Sequence, residues 1–495
     1  MTRIFNALGV DYRQWRALTR TYLIVDYAVL AGAYGRREAI RAIVNLILMC
    51  GVAALVGVGP AAVVLFSPDL LFAATLMVTM TGLAVAVGAL ALGAEIAAPD
   101  DREVIGFRPI GSRTYFAVRA TGFLLNAAQT AVLVGWPPVA ALALRTLSAR
   151  AVCGAIAAIA AVALAVTLAV LLVHSLLVRV VPPVRLARAL AFANVFATFG
   201  MFAGYGIGFS HFVDRATGSP LAVDFDLQRN TWAFLYPGTW FASYIDVFRG
   251  IAGGREMLAA VLSVALLVAL AVALRGRLSA DYTRRIAEIA IDSPPQKQAR
   301  SWVPAFLRRE ARAIAILVIG QLRGDITFQI AVLTNTTMLV VVVALSLWGN
   351  LPADPFFRDA APGESFVVMA QFGGMYLAVL TYEAMLTSAS SDASWPFFTS
   401  PADRVRLVQA GRDLVFVAVV LPVLIALTCL LAFAYRHAGH AVLQGALLAG
   451  TIYALLQAQV LFKPRIPFSV PITGRRAFAG TSMFLTSLMA MPAGR

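Results

Sequence analysis

Lysine is nearly missing from this chain: only Lys297 and Lys463 occur among 495 residues. Neither ends a glycine-rich G-x-x-x-x-G-K-[ST] run, so there is no P-loop with which to hydrolyse a nucleotide. Cysteine is as scarce. Cys50, Cys153 and Cys429 lie far apart inside apolar runs, which argues against a disulfide framework or thiolate metal site and reads them as small buried residues. Of the four histidines, His437 and His440 have a spacing that can bind metal on a helix. No carboxylate or cysteine adjoins them in the sequence, so the pair reads as a solvated turn, and His174 as a satisfied polar residue. Nothing resembles a catalytic triad or a paired-carboxylate site. The chain therefore reads as a non-enzyme with no catalytic residue, no metal and no cofactor of its own. Two glycine clusters are equally plain. GYGIG (204–208) ends an apolar run without the pore helix of a potassium filter, and GVGPAA (57–62) reads as a helix-packing or kink feature.

Charge is thin as well, at 13% of residues, whereas 60% are hydrophobic and the mean hydropathy is +0.81. A soluble domain is about 45–50% apolar. Apolar runs of about 20 residues, enough to cross roughly 30 Å of hydrocarbon, recur along the chain. They predict an all-α polytopic membrane bundle of eleven spans, at 42–66, 70–96, 117–144, 151–178, 189–212, 257–274, 326–348, 365–388, 414–434, 441–462 and 477–491. The first forty residues hold no clean apolar stretch of the kind a secretory signal carries. The net charge of +15 does not form a nucleic-acid patch, because the arginines stand at the ends of apolar runs. Alternating the loops places 31 of the 40 basic residues on one side, the cytoplasmic side by the positive-inside rule, with the N-terminus. Four segments follow: a cytoplasmic amphipathic segment at 1–41, a first membrane half at 42–275, a cytoplasmic linker with a second amphipathic helix at 276–325, and a second membrane half at 326–495.

Charge concentrates after the second span. Residues 98–116, APDDREVIGFRPIGSRTYF, carry Asp100, Asp101, Arg102, Glu103, Arg108 and Arg113. Burying six charges would cost about 2.5–3.5 kcal/mol each, so this is a cytoplasmic loop. The second half has a counterpart in SSDASWPFFTSPADRVRLVQAGRD, 390–413, where Asp101 and Asp392 are 291 apart and Pro109 and Pro401 are 292 apart. Each proline precedes a stretch that predicts a short cytoplasmic helix leading into the next span. VVPPVRLARALAF (180–192) is likewise similar to FKPRIPFSVPITGRRAF (462–478), and each half opens with a basic amphipathic segment. In the first, Trp15, Leu18 and Tyr22 share one helical face and Arg13, Arg16 and Arg20 the opposite one. Such a helix reads either as lying at the headgroup boundary or as a protein contact, and both can hold. Six spans separate the two starts, so the repeat is parallel. Between the fifth and sixth spans, NTWAFLYPGTWFASYIDVF (230–248) is dense in aromatics and broken at Pro237 and Gly238. It reads either as an interfacial turn or as a re-entrant external gate, with Tyr236, Pro237 and Trp240 as its gate residues. Asn335, Thr336 and Thr337 in span seven read first as helix–helix hydrogen-bonding groups.

The layout resembles the membrane subunit of a bacterial ABC exporter of the ABC-2 type, in its larger form with two related halves. The residues that carry the resemblance are DDREVIGFRPIGSRTYFAVR, SSDASWPFFTSPADRVRLVQAGR and LYPGTWFASYIDVFRG. It implies a multi-pass permease in the cytoplasmic (inner) membrane that exports a substrate, with ATP and Mg held on a separate P-loop ATPase subunit. The loop after the second span of each half would couple to that ATPase. Asp101, Glu103, Phe107, Arg108 and Arg113 match it in the first half, and Asp392, Trp395, Phe397, Phe398, Arg404 and Arg406 in the second. The second half stops short of a sixth span, which leaves open a pseudo-dimer within one chain or a homodimer of two. The alternative is a secondary active transporter, which shares a parallel repeat; its usual Gly–Asp–Arg–Gly loop is absent here.

Overall fold

In hydrocarbon a backbone amide has no water to bond, so an apolar segment must satisfy its own peptide groups, and the helix is the local way to do so. The computed structural model of the chain follows this rule. It describes residues 9–27, 56–96, 111–180, 189, 192–193, 196–200, 231–275, 309–324, 328, 332, 336, 354, 356, 365–388, 395–399, 403–462 and 465–471. Apart from two two-residue strands, the elements among them are helices. Six are long and apolar enough to cross a membrane: Leu70–Leu90, Arg113–Thr146, Ala149–Leu177, Gly254–Leu274, Arg404–Tyr435 and Ala438–Leu461. The predicted span at 477–491 and most of those at 326–348 and 189–212 lie outside the described residues, as does 42–55 of the first. The chain divides into two units, Met1–Ser293 and Pro294–Arg495.

The first unit opens with α1 (Tyr12–Tyr27). Asp11 caps it, accepting the backbone N–H of Arg13 at 2.8 Å and of Gln14 at 3.2 Å. The short apolar α2 (Val56–Phe66) and α3 (Leu70–Ile96) are joined by a turn in which Asp69 accepts the N–H groups of Leu71 and Phe72. Then come α4 (Ser112–Thr146) and α5 (Ala149–Val180). A broken segment follows: a 3-10 turn (Thr231–Leu235), α6 (Pro237–Ala242) and α7 (Tyr244–Arg249). The peripheral α8 (Gly254–Arg275) follows it. The α1 helix packs against α4: the Trp15 indole N–H donates to Thr121 Oγ1 at 3.0 Å and the Asp11 N–H to Thr114 Oγ1 at 3.1 Å. Arg13, Arg16 and Arg20 face outward, as their spacing predicts.

Two close approaches fix this unit. Pro138 has no N–H for the carbonyl of Val134 four residues back. That oxygen would lie 2.4 Å from a Cβ on Gly57, so α2 meets this gap in the hydrogen-bond ladder with its smallest residue. The packing role expected of the GVGPAA glycines is thus visible at Gly57. On α5, a Cβ on Gly154 would stand 2.8 Å from both Ile245 Cα and the Tyr244 carbonyl, so α7 rests its backbone directly on α5. Arg145 closes one end of the unit, donating to Val64 O at 2.7 Å and Pro68 O at 3.2 Å. The turns at 67–69 and 147–148 therefore share that end.

The second unit contains α9 (Arg309–Gly324), α10 (Ser365–Leu386), β1 (Thr387–Ser388), α11 (Trp395–Thr399), α12 (Arg404–Val415), α13 (Leu421–Tyr435), α14 (Ala438–Phe462) and β2 (Val470–Pro471). A π turn at Phe416–Val420 joins α12 to α13 without a break, just before Pro422, which has no N–H to give the ladder. The short cytoplasmic helix predicted ahead of the span at 414–434 is therefore the first part of one continuous helix. Its first-half equivalent at Ser112 is likewise the first turn of α4. The α9 helix packs on α12, burying Ile314 and Val318 with Leu407. Beneath them β1 and β2 pair in parallel, Thr387 with Val470 and Ser388 with Pro471, and the Phe468 N–H donates to Met385 O at 2.8 Å.

The packing predicts a contrast between two glycines. Gly154→Val should destabilise the protein in detergent by about 1–3 kcal/mol through overpacking. Gly122→Ala, in open space on α4, should be neutral or stabilise by up to about 1 kcal/mol. Thermal unfolding of the two variants checks both.

Candidate functional site

The second charged loop is the better described of the two. Asp392 lies outside the described residues. Trp395 opens the short helix α11, Phe397 packs partly buried against the core of its unit, and Phe398 is exposed. The chain then turns at Asp403, whose carboxylate accepts the Val405 N–H at 2.9 Å and caps α12. The Arg404 guanidinium lies 5.7 Å from the centre of the Phe398 ring and donates to the Phe398 carbonyl at 3.4 Å. Arg406 pairs with Asp403 at 3.4 Å, both exposed, which contributes little stability. The loop thus brings Phe398 and Arg404 together, an aromatic ring beside a guanidinium, at the head of a continuous helix, while Arg406 is held by Asp403. In the first loop, Asp101, Glu103, Phe107 and Arg108 lie outside the described residues. Arg113 is exposed on the first turn of α4, and its side chain lies against Gly9, filling the place of a Cβ there at 2.6 Å. With φ at +70°, that position is doubly suited to glycine.

The aromatic segment at 231–249 is built into the first unit. Tyr236 has an extended backbone and caps α6, whose first residue is Pro237; a fixed φ and a missing N–H suit that position. Each break in the ladder is answered from within. Thr239 Oγ1 donates to the carbonyls of Ala233 and Tyr236, and the Trp240 indole N–H donates to Phe234 O at 2.7 Å. The Tyr236 hydroxyl reaches Thr79 Oγ1 of α3 at 3.0 Å, and Ser263 of α8 donates to the Tyr244 hydroxyl at 2.8 Å. Of the three gate residues, Trp240 and Pro237 are held inside the segment, and Tyr236 ties it to α3. Asp246 pairs with Arg249 at 3.5 Å. Burial pushes the Asp246 carboxyl up from its ordinary value; Arg249 opposes this, while Glu256 and Asp69 push it further up.

One cluster was not singled out from the sequence. Arg412, on the third turn of α12, is buried. Its Nε and Nη2 donate to Asp413 Oδ1 at 2.9 and 2.6 Å, its Nη1 to Gln457 Oε1, and its Nη2 to the Tyr453 hydroxyl at 3.1 Å. The guanidinium also lies 5.1 Å from the Tyr453 ring centre, and Tyr453 donates to Asp413. On the same helix, Gln459 Nε2 donates to Glu383 Oε1 and to Val379 O of α10. Three helices are thereby pinned at the level of the π turn, where Phe416 packs edge-on against Tyr453 at 5.1 Å. Reading 389–413 as a loop assigned Arg412 and Asp413 to water. The signal that could have found them is the i, i+4 spacing of Tyr453 and Gln457 inside an otherwise apolar run.

Three smaller expectations change. His440 is not a solvated turn residue: its Nδ1 meets Asp354 Oδ2 at 2.5 Å, and Phe356 packs beside it at 5.3 Å. Burial tends to raise the Asp354 carboxyl, but the bonds from His440 and the Phe356 N–H, with the charges of His440 and His437, hold it below the ordinary carboxylate value. Cys153 and Cys429 are free and exposed on the outward faces of α5 and α13 rather than buried, and Cys50 lies outside the described residues. Thr336 turns its hydroxyl back to Val332 O at 2.8 Å, four residues earlier in the sequence; Asn335 and Thr337 lie outside the described residues. Among the described residues no group of three or more His, Cys, Asp or Glu side chains is placed to hold a metal.

Two predictions follow from this chemistry. Arg412→Ala leaves Asp413 half exposed rather than entombed, so the loss should fall near the low end of that for breaking a buried pair, about 3 kcal/mol; thermal unfolding checks it. Asp246, held above its unfolded value, favours the fold when protonated, and that advantage is lost as pH rises from the ordinary carboxylate range through the raised value. The unfolding temperature of Asp246→Asn should therefore gain on the wild type as pH rises through that window.

No family model, no curated protein and no solved structure matches the chain. On its own geometry it is a multi-helix protein with six candidate membrane spans among the described residues, a multi-pass membrane protein by length and composition.

Proposed function

We propose that the chain is the permease subunit of an ATP-binding cassette exporter. On this reading it moves a substrate across the cytoplasmic membrane, N-terminus inside, with ATP hydrolysed on a separate P-loop subunit rather than by this chain. One observation carries the reading: in each unit an amphipathic helix packs against the opening of the long helix that follows the charged loop. In the first unit this is α1 on α4, and in the second α9 on α12. The shared arrangement supports two parallel repeats, with each loop set at a braced helix end.

A brace of this kind suits coupling. A load applied to Phe398 and Arg404 enters the rigid head of α12 instead of dissipating in a flexible loop, and the Arg412 network carries it to α14. At the far end of the first unit, the 231–249 segment is the external gate of this reading, with Tyr236, Pro237 and Trp240 at its turn. The alternative, a secondary active transporter, is favoured by one observation: Glu383 and Asp413 supply carboxylates on long helices, joined to Gln459, Tyr453 and Arg412.

The two readings part on the energy source. Under the exporter reading, the purified chain retains a P-loop ATPase, and Phe398→Ala with Arg404→Glu lowers that retention by about tenfold or more, as loss of an aromatic and arginine anchor does. An ion gradient driving transport in proteoliposomes without any ATPase would overturn it.

A further inference from the structure

The α1 helix has a face that nothing among the described residues answers. Arg13, Arg16 and Arg20 are exposed, three and four residues apart, so they repel one another along one side of the helix. Among the described residues none of the three forms an ion pair or a side-chain hydrogen bond. The opposite face is already occupied, with Trp15 stacked on Tyr12 at 5.8 Å and its indole bonded to Thr121 of α4.

That bond sets the depth of the arginines. The candidate span Arg113–Thr146 has 34 residues, about 51 Å of helix at 1.5 Å per residue. The hydrocarbon takes about 30 Å of this and the headgroup layers most of the rest. Thr121 stands eight residues in from Arg113, roughly 12 Å along the helix. This is the boundary between headgroup and hydrocarbon, where tryptophan and tyrosine rings settle. A helix anchored there, and at Thr114 through the Asp11 N–H, turns its arginine face toward the headgroup layer. In the second unit α9 divides the same way, with Ile314, Ala315 and Val318 buried and Arg312 exposed.

We infer that the arginine face of α1 is a binding surface for the headgroups of anionic phospholipids. It rests on α4 crossing the membrane and not on the ATPase, so it stands or falls apart from the exporter reading. Three arginines at an anionic surface contribute about fivefold each in local binding, and the effect is screened by salt.

The test uses the full chain in bilayers of phosphatidylcholine containing phosphatidylglycerol. Photoreactive headgroup analogues of each lipid are crosslinked in parallel, and adducts are mapped by mass spectrometry. Phosphatidylglycerol adducts on 10–21 should exceed phosphatidylcholine adducts at least tenfold. The excess should vanish in high salt and in R13Q/R16Q/R20Q, and survive in R13K/R16K/R20K. If the glutamine variant fails to fold, the salt series on the wild type decides. Equal adducts from the two lipids would overturn the inference. So would an unchanged lipid pattern in the glutamine variant together with loss of a bound acidic protein, which would assign this face to that protein.

Discussion

Hydrocarbon offers a peptide group no partner, and the architecture depends on how the chain meets that constraint wherever a helix is interrupted. At Pro138 the freed carbonyl of Val134 rests against Gly57, the one residue type that lets a second backbone come so near. Before Pro422 the helix widens into a π turn instead of breaking. In the 231–249 segment the hydroxyl of Thr239 and the indole of Trp240 take up the carbonyls of Ala233, Tyr236 and Phe234. In the aromatic segment the freed carbonyls are thus satisfied from within, and the π turn stands at the level of the arginine network.

Much of this was legible in the residues. Apolar runs located the long helices because burial in lipid leaves a composition that soluble helices do not have. The arginine spacing in α1 gave its two faces, since a helix repeats every 3.6 residues whatever surrounds it. Pro237 and Gly238 marked a break that the structure contains, and Gly57 a close packing contact. What escaped depended on contacts far apart in sequence. Asp354 and His440 are separated by 86 residues and Arg412 and Gln457 by 45. No local pattern ties such partners together. The outward placement of Cys153 and Cys429 escaped for another reason: in a membrane bundle the exterior is as apolar as the core, so hydropathy cannot tell the two apart.

The two units solve one mechanical problem with different residues. In the first, α1 grips α4 through Trp15–Thr121 and Asp11–Thr114, polar bonds set at the helix start. In the second, α9 grips α12 through Ile314, Val318 and Leu407, an apolar contact, and the polar bonds move a few turns inward to Arg412. Both units thus brace the start of a long helix, one with polar bonds and the other with an apolar contact.

The reading requires both charged loops to face one side of the membrane and the turns beside Arg150 and Arg255 to face the other. In a background lacking Cys50, Cys153 and Cys429, single substitutions Asp101→Cys, Arg404→Cys, Arg150→Cys and Arg255→Cys can be probed with a membrane-impermeant maleimide. The account predicts labelling at 150 and 255 in intact cells, and at 101 and 404 only after permeabilisation. Labelling of 101 and 404 from opposite sides would contradict it.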